Sequence, residues 1–226
     1  MELQNLIIEV TRKCNIKCEH CLRGNAQKMV IDTKYIDSLL DQVEYIGNIC
    51  FTGGEPSLAT HIIEYTLSEL KRLNIRIGFF FIATNGVNVP EEFVIACLKL
   101  YAYCEEKDMC QVAISNDSYH AREASYSTEL LDGLRFCNRR NAEEGYTYMN
   151  GRDLINEGRA VDFGSLHNLT SARITSREEF EEAQIYLNCK GYIINGCDWS
   201  YNSQNRKENI VCHVDKLSEF YNTLVD

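Results

Sequence analysis

Proline is scarce, with 2 in 226 residues, and glycine is moderate at 13. That excludes collagen-like and flexible-linker sequences. No apolar run approaches the roughly 20 residues of a membrane-spanning helix. The strongest, Phe79-Phe80-Phe81-Ile82-Ala83, has the length of one buried strand. Met1-Glu2-Leu3-Gln4 lacks the basic and apolar regions of an export signal. These absences predict a cytoplasmic protein with no membrane partner. Positive charge is also short: 23 Lys and Arg stand against 33 Asp and Glu, a formal net charge of -10. A nucleic-acid surface needs clustered positive charge, so no nucleic-acid partner is expected.

Cysteine is the excess. There are 11, an odd number. Thiols stay reduced in the cytosol, so a disulfide framework is not expected, and clustered cysteines point to metal or redox chemistry. Hydrophobic residues at 45% and charged residues at 25% are ordinary for a globular chain. The length allows one large domain, or one domain with a small appendage.

Periodicity predicts strands over Leu6–Val10, Asn48–Phe51, Arg76–Ala83 and Gln111–Ser115. Helical spacing follows each, over Thr33–Tyr45, Ile62–Leu73, Glu91–Cys104 and Ser127–Glu144. Four strand–helix units in succession argue for a parallel sheet. A closed eight-unit barrel typically needs about 250 residues, and here the pattern changes after residue 160. The expected fold is therefore α/β: a partial, six-stranded parallel barrel, (βα)6, over residues 1–160. Tyr146–Met149 and Gly158–Val161 are the weaker candidates for its fifth and sixth strands. Residues 161–226 form an expected small α+β extension. It has a helix over Ser176–Ala183 with a Ser176/Glu179 capping box. A hairpin follows, with arms Ile185–Cys189 and Tyr192–Asn195 around Lys190-Gly191, and then a closing helix over Leu217–Val225.

The strongest chemical signal follows the first strand: Cys14-Asn15-Ile16-Lys17-Cys18-Glu19-His20-Cys21. Three thiolates within eight residues suit a single metal centre. On a cubane cluster they leave one iron without a protein ligand. A structural zinc loop completed by a fourth ligand such as His20 is the alternative reading. The second strand ends in Gly53-Gly54-Glu55-Pro56, where two glycines permit close backbone approach and a carboxylate suits an ammonium group. An ordinary tight turn is the bland reading of that stretch. Thr84-Asn85-Gly86 and Ser115-Asn116-Asp117 end the third and fourth strands. Each alone reads as a loop or cap. All four clusters lie on the rim where parallel α/β sheets bind ligands.

Together these motifs resemble the radical S-adenosylmethionine (SAM) enzymes over about residues 5–160. Cys14, Cys18 and Cys21 match the family's C-x3-C-x2-C motif, and Gly53-Gly54-Glu55-Pro56 its SAM-amino motif. Thr84-Asn85-Gly86, Ser115-Asn116-Asp117 and the Gly158-Arg159-Ala160 stretch resemble features of the peptide- and sulfatase-maturing branch. The resemblance implies a [4Fe-4S] cluster on Cys14, Cys18 and Cys21. It implies SAM on Gly53, Gly54, Glu55, Pro56, Asn85, Ser115 and Asp117. It also implies reductive cleavage of SAM to a 5′-deoxyadenosyl radical that abstracts hydrogen from substrate. The implied partners are a flavodoxin- or ferredoxin-type reductant and a peptide, protein or small-molecule substrate. A glycyl-radical enzyme activase, a nucleotide-modifying enzyme and a non-enzymatic structural metal protein are the alternatives. Cys189, Gly191 and Cys197 resemble a shortened SPASM or twitch extension, which in full form carries auxiliary clusters. Here only Cys189, Cys197 and Cys212 remain for one, against buried packing residues as the plain reading.

Overall fold

The structure is a computed structural model and describes residues 1–116, 120, 128–141, 155–163 and 173–226. Eight described strands make one sheet in the order β5-β4-β3-β2-β1-β6-β7-β8. They are β1 (Glu2–Thr11), β2 (Tyr45–Gly53), β3 (Arg76–Thr84), β4 (Gln111–Asn116), β5 (Cys137–Asn141), β6 (Gln184–Leu187), β7 (Tyr192–Asn195) and β8 (Ile210–His213). The run from β5 through β1 to β6 is parallel throughout, and β7 and β8 are antiparallel. The sheet is open, with β5 and β8 at its two edges. The α/β class and a six-stranded parallel array are therefore as expected. The origin of the sixth strand is not: it is β6, from the extension, paired along β1 from Asn5↔Gln184 to Ile8↔Leu187.

β1 is flanked on both edges and buried on both faces, which explains its near-continuous apolar run. Leu6, Ile8 and Val10 enter the main core. Ile7 points to the opposite face and packs with Tyr186, Ile194 and Trp199. The main core lies under helices α1 (Thr33–Leu40), α2 (Thr60–Arg72) and α3 (Glu91–Tyr103), which present Ile36, Leu39, Ile63, Leu67, Phe93 and Leu100 to it. α1 is shorter than its periodicity predicts. The N–H groups of Gln42 and Val43 donate to Leu39 O and Leu40 O, an i→i-3 pattern that tightens the chain out of the α form before β2 begins.

Two expectations are corrected. The fourth helix is absent among the described residues: 128–136 form turns and 137–141 form β5. Gly133 at φ +97° breaks the helical path there, while Leu131 and Phe136 still reach the core. Gly158–Val161 is not a strand either. It is a turn leading into a 3-10 segment over Ala160–Phe163. The other candidate strand, Tyr146–Met149, lies outside the described residues. In the extension, the capping box at Ser176 opens α4 (Arg177–Glu182), and the hairpin β6–β7 forms around Lys190-Gly191. The last helix, α5 (Leu217–Tyr221), is shorter than expected.

Candidate functional site

The site is built where β1, β2 and β3 end side by side. Beyond Thr11 the chain turns into the cysteine loop. Cys18 is buried, and Cys14 and Cys21 are half-buried. The end of β2 packs directly under this loop. Gly54 N–H donates to Thr11 O at 2.8 Å, and Glu55 N–H to Lys13 O at 2.8 Å. A Cβ on Gly53 would sit 1.9 Å from Thr11 O, and one on Gly54 would sit 2.1 Å from Lys13 O. The first demand on these glycines is thus the approach of one strand end to another. They seat the cysteine loop on β2.

Glu55 is buried at 1% exposure. Its Oε1 accepts from Ser57 N–H at 3.0 Å and Thr84 Oγ1 at 2.7 Å, and its Oε2 accepts from Asn85 N–H at 2.8 Å. Burial pushes its carboxyl above the ordinary range, and those three hydrogen bonds pull against it. Pro56 is buried at the start of a 3-10 turn, Pro56–Ala59. From the end of β3, Asn85 Nδ2 donates to Asn15 Oδ1 at 2.8 Å and lies 3.8 Å from Cys14 Sγ. Asn15 Nδ2 in turn donates to Val87 O at 2.9 Å. Burial raises the Cys14 thiol, the Glu55 and Cys21 charges add to this, and the Ile16 backbone and Asn85 oppose it.

Cys14, Gly53, Gly54, Glu55 and Asn85 therefore form one contiguous set. Ser115 is half-buried on β4, one residue beyond the Thr84↔Ile114 pair, at the same end of the sheet. Asp117 lies outside the described residues. The ring of His20, within the cysteine loop, meets His120 edge-on at 5.1 Å.

Among the described residues, no three His, Cys, Asp or Glu side chains converge as ligands to a single ion would. An iron–sulfur cube does not require that, because each thiolate holds a separate corner. The donor chemistry fits: three cysteines that form no disulfide lie in one loop, beside a cleft of about 470 Å³ lined by Cys14, Asn15, Ile16, Lys17, Asn25, Ala26 and Arg159. The extension cysteines do not form a comparable set. The backbone N–H of Cys189 donates to Glu9 Oε1, Cys197 Sγ donates to Asp198 Oδ1, and Cys212 sits on β8 opposite Ile193.

Two further groups support the loop: Arg159, in the Gly158-Arg159-Ala160 stretch, and a buried pair that no motif marks. Arg159 Nε donates to Cys18 O at 2.8 Å, and its backbone N–H donates to Cys21 O at 2.9 Å. On the inner side, Glu9 and Arg12 form a wholly buried ion pair at 2.6 Å. The signal for that pair is visible in Leu6-Ile7-Ile8-Glu9-Val10: a carboxylate inside a buried strand demands a partner, and Arg12 stands three residues on.

The description Radical SAM superfamily matches residues 8–144, more than half of the chain. An uncharacterized protein of Methanocaldococcus jannaschii, MJ0907, is 30% identical over 97 residues, covering 40% of this chain and 33% of that protein. Native anSMEcpe with bound AdoMet and a Cp18Cys peptide superposes over 99% of this chain and 81% of its own, with a TM-score of 0.51 and 14% identity, a likeness of fold. Streptococcus suis SuiB bound to its precursor peptide SuiA matches 51% of this chain and 25% of its own at 22% identity, with a TM-score of 0.37, too slight to bear on the fold. The chain thus spans about a third of the archaeal relative and a quarter of SuiB. It belongs to the radical SAM superfamily, whose cofactors are a [4Fe-4S] cluster and S-adenosylmethionine.

Proposed function

We propose that this chain is a radical SAM enzyme whose cluster is held by Cys14, Cys18 and Cys21. When bound, the two cofactors together supply one-electron cleavage of SAM to methionine and a 5′-deoxyadenosyl radical, which abstracts a hydrogen atom from substrate. The protein's own work is to bind, orient and exclude water. The three thiols are the donors, and the loop that carries them is seated by Gly53, Gly54 and Glu55. Three of the roughly four acceptor positions of the Glu55 carboxylate are taken by the protein, which leaves one for the SAM ammonium. Pro56 shapes that turn, and Asn85, Ser115 and Asp117 orient the rest of SAM.

The observation that carries this reading is the meeting of three strand ends through one residue: Asn85 touches Cys14 with its side chain and Glu55 with its backbone. A zinc knuckle has no need of that meeting. For substrate we propose a peptide or protein side chain. The fold neighbour that spans nearly the whole chain carries AdoMet and a peptide. A flavodoxin- or ferredoxin-type donor supplies the electron. Residues 1–160 are the catalytic unit, and residues 161–226 are a shortened extension. No described helix is long and apolar enough to cross a membrane.

Anaerobic turnover tests this. Reconstituted protein with dithionite and SAM is expected to release 5′-deoxyadenosine, and Cys18→Ala is expected to release none. One zinc per chain, no iron and no SAM cleavage would instead identify a structural metal protein.

A further inference from the structure

The buried Glu9–Arg12 pair joins three parts of the chain. All four acceptor positions of Glu9 are filled. Oε1 takes Arg12 Nε at 2.6 Å and Cys189 N–H at 3.0 Å, and Oε2 takes Tyr186 Oη at 2.7 Å and Gln204 Nε2 at 3.0 Å. The Arg12 guanidinium also spreads its bonds. Nη1 donates to Gln27 Oε1 at 3.1 Å and Nη2 to Gln204 Oε1 at 2.7 Å, and the group lies 4.5 Å from the Tyr201 ring centre. Gln27 is where the cysteine loop returns, and its N–H donates to Arg12 O. Arg12 thus closes the base of the loop, and both of its outer bonds depend on glutamines.

Gln204 is the contribution of the C-terminal segment. Its one amide meets both members of the ion pair, donating to Glu9 and accepting from Arg12. It is 1% exposed, so neither bond has water as a substitute. The same segment grips the loop at a second point. Tyr201 N–H donates to Arg23 O, and Arg23 Nη1 donates to Trp199 O.

We propose that Gln204 is a positioning residue. It locks the C-terminal segment onto the Glu9–Arg12 pair and so fixes the geometry in which the loop presents Cys14, Cys18 and Cys21. The extension then serves the cysteine loop from within as a latch. This rests on the cluster assignment above for its purpose, though not for its geometry.

The test uses the full chain, first without iron and then after anaerobic reconstitution. Three variants are compared: Gln204→Met, Gln204→Glu, and the double Glu9→Gln/Gln204→Glu. Gln204→Met keeps the length and loses both bonds. Gln204→Glu puts a second carboxylate beside Glu9, both bonded to the Arg12 guanidinium. The double variant exchanges the two groups and restores one carboxylate opposite Arg12. In the iron-free protein, iodoacetamide labelling of Cys14 and Cys18, read by mass spectrometry, is expected to quicken roughly fivefold or more in both single variants. Cys97, on the buried face of α3, keeps its rate. The double variant returns Cys14 and Cys18 towards wild type. After reconstitution, the electron paramagnetic resonance signal of the reduced cluster shifts in Gln204→Met and is restored in the double variant. Unchanged labelling in Gln204→Met would overturn the proposal. So would Cys97 quickening in step with Cys14, or a double variant no better than Gln204→Glu. If wild-type protein takes up no cluster while the labelling pattern holds, the enzyme reading fails and the latch stands.

Discussion

At the residue scale, the site depends on a few buried polar groups. Removing one partner of a buried ion pair leaves the other charge uncompensated, at a cost of about 3–5 kcal/mol. Arg12→Met is expected to lower unfolding stability by that order, measured by urea denaturation of the iron-free chain. The same pair sets a pH dependence. Burial pushes the Glu9 carboxyl up, but Arg12, then Arg23, with hydrogen bonds from Cys189 and Tyr186, bring it below its usual value. A depressed carboxyl contributes stability above its unfolded value of about 4.3, and that contribution is lost as pH falls through the depressed value. Wild type is therefore expected to lose stability below about pH 4 more steeply than Glu9→Gln, read as urea midpoint against pH. Gly54→Ala drives a Cβ to 2.1 Å from Lys13 O and must displace the cysteine loop. Iron uptake is expected to fall while the far-ultraviolet circular dichroism spectrum is retained. The motif residues Cys14, Gly53, Gly54, Glu55 and Asn85 were legible in the sequence because each sits at a strand end. Gln204 was not, because its partners lie 192 and 195 residues away and nothing local marks it.

At the element scale, legibility followed periodicity. β1, β3, α2 and α3 have strong apolar spacing and stand close to where it places them. β5 was hidden inside an apparent helix, because Leu130, Leu131, Leu134 and Cys137 imitate helical spacing across Gly133, whose backbone cannot continue one. β6 was recognised as a hairpin arm, but its pairing with β1 depends on a chain separation of about 180 residues. β1, held between β2 and β6, is the element on which the sheet depends. Leu6 is wholly buried on it, so Leu6→Ala is expected to cost about 2–5 kcal/mol. Its amides should be among the slowest to exchange hydrogen. An exchange map in which β1 opens as readily as the edge strands would contradict this placement.

At the scale of the whole molecule, the cysteines divide into those gathered at one rim and those scattered through packing. Cys14, Cys18 and Cys21 share the loop that β2, β3 and Arg159 support. The Cys189 thiol donates to Glu9 O, and Cys197 and Cys212 stand on separate parts of the extension. One sheet runs through both the barrel strands and the extension, which brings Gln204 to the cysteine loop. One cluster per chain is therefore expected. The direct measurement is iron and acid-labile sulfide in the anaerobically reconstituted protein, in wild type, in Cys14→Ala/Cys18→Ala/Cys21→Ala and in Cys189→Ser/Cys197→Ser/Cys212→Ser. About four of each are expected in wild type and in the extension variant, and none in the loop variant. About eight irons in wild type, or loss of iron from the extension variant alone, would contradict this.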